Sequence, residues 1–226
     1  MLTIHPASAA DAPAAAAVLA EAFDGDRVVS AVTARRATGR GRLDALFLAL
    51  LRSSTLAGGG VDLARTPDGS VAGVAVWQPP GAGHGPLDLA RQAGQLPLFW
   101  SALGLRGLLS AARAQAVLAS HRPFAAHWYL AQIGVRARAR GLGVGSALLT
   151  SRLDRIDRAG EAAYLEASSP DNRRLYERHG FQAVGPVRGL GGARPTAMWR
   201  PAGAGRRLDA PAPGPRPAEG GPVVVG

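Results

Sequence analysis

The spacing of hydrophobic positions changes repeatedly along this chain, and the changes predict strands that alternate with helices. Two short apolar runs, Val61–Arg65 and Val71–Gln78, flank the turn Thr66-Pro67-Asp68-Gly69 in the manner of a β-hairpin. His127–Val135 is the strongest strand candidate, because it is aromatic and β-branched and has no breaker before Gly134. Further strands are predicted at Leu2–His5, Ala163–Ala167, Phe181–Val184 and Pro195–Arg200.

Apolar residues spaced three and four apart predict the helices. Residues Leu87–Ser120 are strongly apolar and helical in pattern, with interruptions at Pro97 and Gly104–Gly107. A helical segment of that length between two strands indicates an insertion that covers the sheet. Strand pairs mixed with crossover helices predict an α/β or α+β fold with a mixed sheet. The other helices are predicted at Ala9–Phe23, Arg42–Leu56, Gly143–Ala159 and Pro170–His179.

The domain organisation follows from the length of 226 residues and from a change of composition near the C-terminus. Hydrophobic residues make up 47% of the chain, which is ample for a core, so we expect a single domain over residues 1–202. Residues 203–226 are rich in glycine and proline and are predicted to form a disordered tail.

Residue types that are absent exclude several classes of chemistry. The chain has no cysteine, which excludes disulfides, thiolate metal sites and thiol nucleophiles. All 26 basic residues are arginine, which also excludes a lysine Schiff base and the lysine of a P-loop. We expect no metal in the site.

The net charge of +10 at pH 7 raises the question of a nucleic-acid partner. The arginines are spread singly, are not interleaved with stacking aromatics, and belong to an alanine- and glycine-rich composition typical of high-GC coding. The N-terminus has no basic region before Arg27, and the longest uncharged stretch is broken by Pro79 and Pro80. We therefore expect a cytoplasmic protein that binds neither nucleic acid nor a membrane.

Three glycines at alternate positions lie between the strongest strand and an amphipathic helix. Without side chains to shield them, successive backbone N–H groups can converge on an anion, and the helix start and Arg140 add positive charge. The segment therefore predicts a pyrophosphate cradle, whereas the dinucleotide fingerprint G-x-G-x-x-G fails because its third glycine is replaced by Ser146. The cradle comprises Arg140, Gly141, Leu142, Gly143, Val144, Gly145 and Ser146.

The spacing of Arg140, Gly143 and Gly145 fits the pattern Gln/Arg-x-x-Gly-x-Gly/Ala and resembles the coenzyme A loop of the GNAT superfamily of N-acetyltransferases. In a second segment, a helix start at Ser169-Pro170 places Asn172 and Tyr176 four residues apart on one helical face. This segment resembles the Asn-x-x-x-Tyr-Glu-x-x-Gly-Phe segment of the same superfamily.

The likeness narrows to the puromycin N-acetyltransferases and their actinobacterial relatives, and it extends over residues 1–200. It implies a mostly antiparallel central sheet that is splayed at its middle strands. It also implies acetyl transfer from acetyl-CoA to the amine of a small molecule, with aminoacyl-nucleoside-like antibiotics among the candidate acceptors. The segments that carry the likeness are Val74–Trp77, Leu118–Pro123, Trp128–Val135 and Leu165–Gly180.

The resemblance further implies roles for individual residues. The backbone of Ile133, Gly134 and Val135 would pair with pantetheine, and Asn172 would contact the cofactor. The amine would attack directly through a tetrahedral intermediate, and Tyr176 would protonate the departing thiolate as general acid.

Several residues are candidates for accepting the amine proton. Glu166, on the strand that faces the splay, is the carboxylate candidate, and His127 and His121 are alternatives. Ser168 and Ser169 are interpreted as a turn and a helix cap rather than as nucleophiles. The acceptor pocket is expected to be aromatic, with binding by Trp128, Tyr129, His127 and Glu166 and further contacts to Phe99, Trp100 and Phe124.

Two other functions stay open from the sequence. One is a protein acetyltransferase that acts on N-terminal amines or lysines and needs an open groove rather than a covered pocket. The other is a catalytically silent domain that binds coenzyme A as a sensor or as a partner-binding module. We expect a monomer or a homodimer.

Overall fold

The computed structural model describes residues 1–34, 37, 39–56, 58–82 and 86–205, so most of the predicted tail, residues 206–226, lies outside the described residues. The described strands are β1 (Thr3–Pro6), β2 (Val61–Arg65), β3 (Val71–Gln78), β4 (His127–Val135), β5 (Ala162–Ala167), β6 (Gln182–Pro186) and β7 (Thr196–Arg200). The described helices are α1 (Ala12–Ala22), α2 (Arg27–Val32), α3 (Arg40–Leu50), α4 (Pro86–Gly94), α5 (Leu96–His121), α6 (Val144–Ala159) and α7 (Pro170–Arg178).

These strands form a seven-stranded sheet with the order β1-β2-β3-β4-β5-β7-β6. Neighbouring strands run antiparallel except for β4 and β5, which run parallel. The mixed, mostly antiparallel sheet flanked by helices confirms the predicted fold class.

The sheet splits between its two middle strands. The parallel pairing of β4 with β5 ends at Leu130 and Leu165. By contrast, β4 continues along β3 as far as Val135, which pairs with Gly73. Beyond Leu130, the edge of β4 that faces β5 is therefore free to pair with a ligand, as the predicted splay requires.

Helices cover both faces of the sheet. Along β3, Val74 and Val76 belong to a core that includes residues of α1, α3 and α5. The alternate residues, Ala75 and Trp77, belong to a second core built with α6. This alternation is the period of two expected of a strand that is buried on both faces.

Two glycines allow the flanking helices to approach the middle of the sheet. A Cβ atom on Gly134 would lie 2.9 Å from the Cβ of Ala22 in α1. On the other face, a Cβ on Gly73 would lie 2.8 Å from Cγ1 of Val144, the first residue of α6. Both approaches occur next to the cradle, so these glycines help to position it.

The predicted insertion consists of α4 and α5, and α5 is interrupted at Gly104 (φ 59°, ψ −179°), a conformation that essentially only glycine adopts. The short helix α2 was not predicted from the sequence. Asp26 begins it, because its side chain accepts hydrogen bonds from the backbone N–H groups of Val28 and Val29. Within the described ranges, we find no helix with the length and apolar character that crossing a bilayer requires.

Candidate active site

The split between β4 and β5 opens into a cavity of about 1350 Å³. Helices α2, α3 and α5 supply an apolar wall that includes Val29, Phe47, Phe99 and Leu103. The cradle, α7 and the edge of β4 supply the rest. Pockets for one drug-sized ligand usually have about 300–1,000 Å³, so this cavity has room for two molecules side by side.

The predicted cradle lies at the start of α6. Gly141 and Gly143 have φ angles of 78° and 76°, in the left-handed region that favours glycine. The turn that they form and the first N–H groups of α6 suit an anion. Leu142 is 74% exposed and does not line the cavity. The cradle residues that do line it are Arg140, Gly141, Gly143, Val144, Gly145 and Ser146.

A hydrogen bond ties the cradle to the end of α7. The hydroxyl of Ser146 and Nε2 of His179 lie 2.8 Å apart. Burial lowers the pKa of His179, and the charges of Arg178 and Arg200 lower it further. His179 therefore stays neutral at neutral pH and holds the Ser146 hydroxyl in place.

The free edge of β4 borders the same cavity. Ile133, Gly134 and Val135 are all among its lining residues, and all three lie beyond the last residue of β4 that pairs with β5. The structure thus places the predicted pantetheine-binding segment beside the cradle.

The residues predicted on α7 also face the cavity. Ser169 caps α7 by accepting a hydrogen bond from the Asn172 backbone N–H at 3.2 Å, and the Asn172 amide donates to the Ser168 hydroxyl at 3.2 Å. Tyr176 is 5% exposed, and its ring packs against Phe181. Burial raises the pKa of Tyr176, and the negative charge of Asp26 raises it further. Its hydroxyl therefore keeps its proton at neutral pH and can donate it.

Glu166 lies in a buried polar cluster at another part of the cavity wall. Its Oε2 accepts a hydrogen bond from the Tyr129 hydroxyl at 2.8 Å, and the Arg122 guanidinium lies 3.7 Å from the centre of the Tyr129 ring. Burial raises the pKa of Glu166, while the Tyr129 hydrogen bond and the Arg122 charge oppose that rise.

Three buried polar atoms of this cluster are unpaired. Glu166 Oε1, the Tyr164 hydroxyl and Arg122 Nε have no partner with normal hydrogen-bond geometry among the described residues, although the Tyr164 hydroxyl and the Glu166 carboxylate are close enough to affect each other's pKa. Glu166 also lines the cavity. Its free oxygen can therefore accept a proton or a hydrogen bond from a ligand.

Two predicted acceptor-binding residues do not line the cavity. The indole of Trp128 lies on the α6 side of the sheet, donates to Glu161 at 2.5 Å and packs in the core there. His127 packs edge-on against Tyr164 and Trp199, and its Nδ1 lies 2.6 Å from the Ala125 carbonyl oxygen. Because side chains alternate along β4, Tyr129 faces the cavity while Trp128 faces away.

Of the other residues proposed for the acceptor pocket or as the base, some line the cavity and others do not. Phe99 lines the cavity, whereas Trp100 and Phe124 do not and are exposed. The alternative base His121 lies at the end of α5, with its Nδ1 2.8 Å from the Val117 carbonyl oxygen, and it does not line the cavity.

Four residues near the site were missed at the level of sequence: Asp26, Arg122, Tyr164 and His179. Only Asp26 had a local signal, since it precedes the apolar run Val28–Val29 with the spacing of a helix cap. The others enter through contacts between segments that are distant in sequence. Among the described residues, we find no group of side chains suited to hold a metal ion.

Known proteins resemble this chain in two ways: a family model matches residues 106–183, and solved structures share the overall fold. A family model described as "Acetyltransferase (GNAT) domain" matches residues 106–183. A Corynebacterium glutamicum structure described as "histone acetyltransferase HPA2 and related acetyltransferase" is 32% identical, with a TM-score of 0.68, and the match covers 89% of this chain and 96% of that one.

More distant structures share the fold alone. A mosquito protein described as "arylalkylamine N-Acetyltransferase like 5b" is 13% identical with a TM-score of 0.59, over 89% of this chain and 100% of that one. A Drosophila melanogaster polyamine N-acetyltransferase, described as forming N-acetylagmatine, is 15% identical with a TM-score of 0.52. The match covers 88% of this chain and 98% of that one.

A mixed sheet split beside a glycine cradle defines an acyltransferase domain of the kind that binds a coenzyme A thioester. The similarity to the Corynebacterium glutamicum structure extends over nearly the whole length of both chains, and it identifies the family. This chain belongs to the GNAT family of acetyltransferases, which transfer an acyl group from acetyl-CoA.

Proposed function

We propose that this protein acetylates the amine of a small molecule that has an apolar or aromatic body. The observation that supports the proposal is that one cavity is lined by the cradle, the free edge of β4, Tyr176 and Glu166, and on its other side by apolar side chains of helices. One cavity can therefore bind an anionic cofactor and an apolar acceptor, and it presents an acid and a carboxylate to them.

The chain's own residues would hold the cofactor by three kinds of contact. Arg140 and the N–H groups of the cradle suit the pyrophosphate, and the edge of β4 from Ile133 to Val135 suits an extended amide-bearing chain. Asn172 offers an amide on the same wall. Acetyl-CoA, when bound, supplies the activated acetyl group.

The proposed transfer forms a carbon–nitrogen bond and breaks the carbon–sulfur bond of the thioester. Glu166, directly or through a water molecule, accepts the proton that the amine must lose, and burial, which raises its pKa, makes it a stronger base. Tyr176 keeps its proton until a thiolate departs and then donates it to the sulfur.

The nature of the cavity wall supports an acceptor with an apolar body. Phe47, Phe99 and Leu103 line it together with other hydrocarbon side chains, which favour a flat or aliphatic group over a second charge. Puromycin is the first compound to test because of the resemblance of the sequence, and resistance to such an antibiotic is part of the proposal. We expect the protein to act in the cytoplasm, as a monomer or homodimer.

Acetylation of protein lysines or N-termini is the second candidate, because the Corynebacterium glutamicum relative, which is 32% identical, is described as a histone acetyltransferase and related acetyltransferase. The apolar wall that the helices supply favours a small molecule with an apolar body over a peptide. A third possibility, a silent coenzyme A sensor, is less favoured because Tyr176 and Asn172 are both in place.

The test is acetyl-CoA-dependent release of free thiol with a panel of amines: puromycin, 2-phenylethylamine, agmatine, spermidine, free amino acids and lysine peptides. We expect the highest kcat/KM for an apolar amine. A tenfold preference for peptides over every small molecule would support the protein acetyltransferase instead. Tight coenzyme A binding without thiol release for any amine would indicate the sensor.

A further inference from the structure

Asp26 is an acidic residue of the cavity that has no part in the proton transfers proposed above. It lies in the turn between α1 and α2 and lines the same cavity as Tyr176 of α7. Its Oδ1 accepts the backbone N–H groups of Val28 at 2.8 Å and Val29 at 2.9 Å. The carboxylate is therefore held in a fixed orientation by the first turn of α2.

The position of Asp26 relative to Tyr176 identifies the reacting end of the cavity. If Tyr176 donates a proton to the departing sulfur, the thioester lies beside its hydroxyl. Burial is the larger cause of the raised pKa of Tyr176, and the charge that raises it further is that of Asp26. The charges that act on Glu166 come instead from Arg122 and His121.

The second oxygen of Asp26 is uncommitted. No described residue donates a hydrogen bond to Asp26 Oδ2, and no described arginine or histidine forms an ion pair with Asp26. Its neighbours on the cavity wall include Phe23, Val28 and Val29, which are apolar. A fixed carboxylate with a free oxygen and apolar surroundings favours a cation as its partner.

We propose that Asp26 is the residue that binds the acceptor's ammonium group and places its nitrogen beside Tyr176, which selects protonated amines over uncharged analogues. This assignment rests on the proposed function. For the reaction, nitrogen and the thioester carbon must approach to about 3–3.5 Å. As nitrogen attacks, positive charge develops on it, and a fixed carboxylate stabilises that charge.

The decisive variant is Asp26→Asn, with Asp24→Asn as its matched control. Asparagine is as good a helix cap as aspartate, so Asp26→Asn keeps the hydrogen bonds to α2 and removes only the charge. Asp24 lies in the same turn but is exposed and does not line the cavity. Asp26→Ser, a second uncharged cap, replaces Asp26→Asn if the latter unfolds.

For Asp26→Asn we expect the KM of the best acceptor amine to rise at least tenfold, with the KM for acetyl-CoA within twofold of wild type and an unchanged melting temperature. Asp24→Asn should match the wild type in all three. An amine KM that stays within twofold in Asp26→Asn and Asp26→Ser would overturn the assignment and leave the proposed function intact.

A binding measurement separates this inference from the proposed function. Calorimetry with the enzyme–coenzyme A complex compares 2-phenylethylamine with its uncharged analogue 2-phenylethanol. We expect the wild type to prefer the amine at least tenfold and Asp26→Asn to lose that preference. Such a result supports Asp26 even if no amine is acetylated, whereas equal preference in both proteins, or no amine binding to wild type, overturns it.

Discussion

At the scale of single residues, environment decides which polar groups of the cavity can exchange protons. Tyr176 and Glu166 are both buried, and burial raises the pKa of each. For the tyrosine, this keeps the proton that an acid must donate. For the carboxylate, it makes a stronger base. The same physical effect therefore produces opposite roles in two residue types.

Tyr176→Phe removes the hydroxyl and leaves the ring that packs on Phe181. We expect kcat to fall about 10²–10⁴-fold, the usual contribution of a positioned acid. The measurement is steady-state kinetics together with acetyl-CoA affinity by calorimetry. Unchanged affinity with lowered kcat supports the acid role, and an unchanged kcat would show that Tyr176 only packs.

Tyr129→Phe removes the hydrogen bond that lowers the pKa of Glu166. A base acts as carboxylate, so activity is present above its pKa and is lost as the pH falls through it. Since the variant raises that pKa further, the acid limb of the kcat–pH profile should move to higher pH, with kcat near wild type at alkaline pH. In a Glu166→Gln background, Tyr129→Phe should no longer move the acid limb. If the limb still moves in that background, the titrating group is not Glu166.

At the scale of elements, the cradle is held by contacts that come from several segments. Glu21, near the end of α1, accepts the Ala137 backbone N–H at 2.8 Å and an Arg136 Nη1 hydrogen bond at 2.8 Å. These bonds lower the pKa of Glu21, with the Ala137 bond as the larger cause. They fix the loop before the cradle, while Ser146 and His179 fix its far side.

Arg140→Glu tests the cradle by reversing a charge that lines the cavity. Loss of one charge-assisted hydrogen bond is worth about 1.5–3 kcal/mol, so the KM for acetyl-CoA should rise about tenfold or more, with little change in the amine KM. Arg138→Glu is the control, because Arg138 is exposed and bonds to Ser70 instead. Equal rises of the acetyl-CoA KM in both variants would mean that cofactor binding depends on the overall charge of the protein rather than on the cradle.

At the scale of the whole molecule, a buried ion cluster joins α6 to strand β2 of the sheet. Asp62 of β2 has no exposed side-chain surface and is bound by Arg152 at 2.7 Å and Arg155 at 2.9 Å. Arg152 also donates to the Gly59 carbonyl at 2.9 Å. Because the charge of Asp62 is fully desolvated, it depends on these partners.

Arg152→Met should therefore destabilise the fold by about 3 kcal/mol, which lowers the melting temperature by about 6–12 °C. The matched variant is Arg155→Met, because Arg155 binds the same carboxylate but its side chain is 39% exposed. Its loss should lower the free energy of unfolding by about 1 kcal/mol or less. Calorimetric unfolding of both variants measures the difference. Equal effects would mean that Asp62 is shared evenly by the two arginines.

Much of the fold was predictable because its signals are local. The hairpin strands Val61–Arg65 and Val71–Gln78 and the strand His127–Val135 have the predicted bounds, since turn chemistry and side-chain spacing act within a few residues. The cradle and the capped helix α7 were predictable for the same reason. The short helix α2 was missed, because its six residues carry too little periodicity to detect.

What the sequence by itself determined is thus most of the elements and the residues that the two motifs place on them. Only the tertiary structure decided which of these residues meet. It turned Trp128 away from the cavity and Tyr129 into it, stacked Arg122 on the Tyr129 ring, and brought Asp26 and Tyr176 to one cavity. These outcomes depend on which faces pack together and on contacts between distant segments, and no local spacing encodes either.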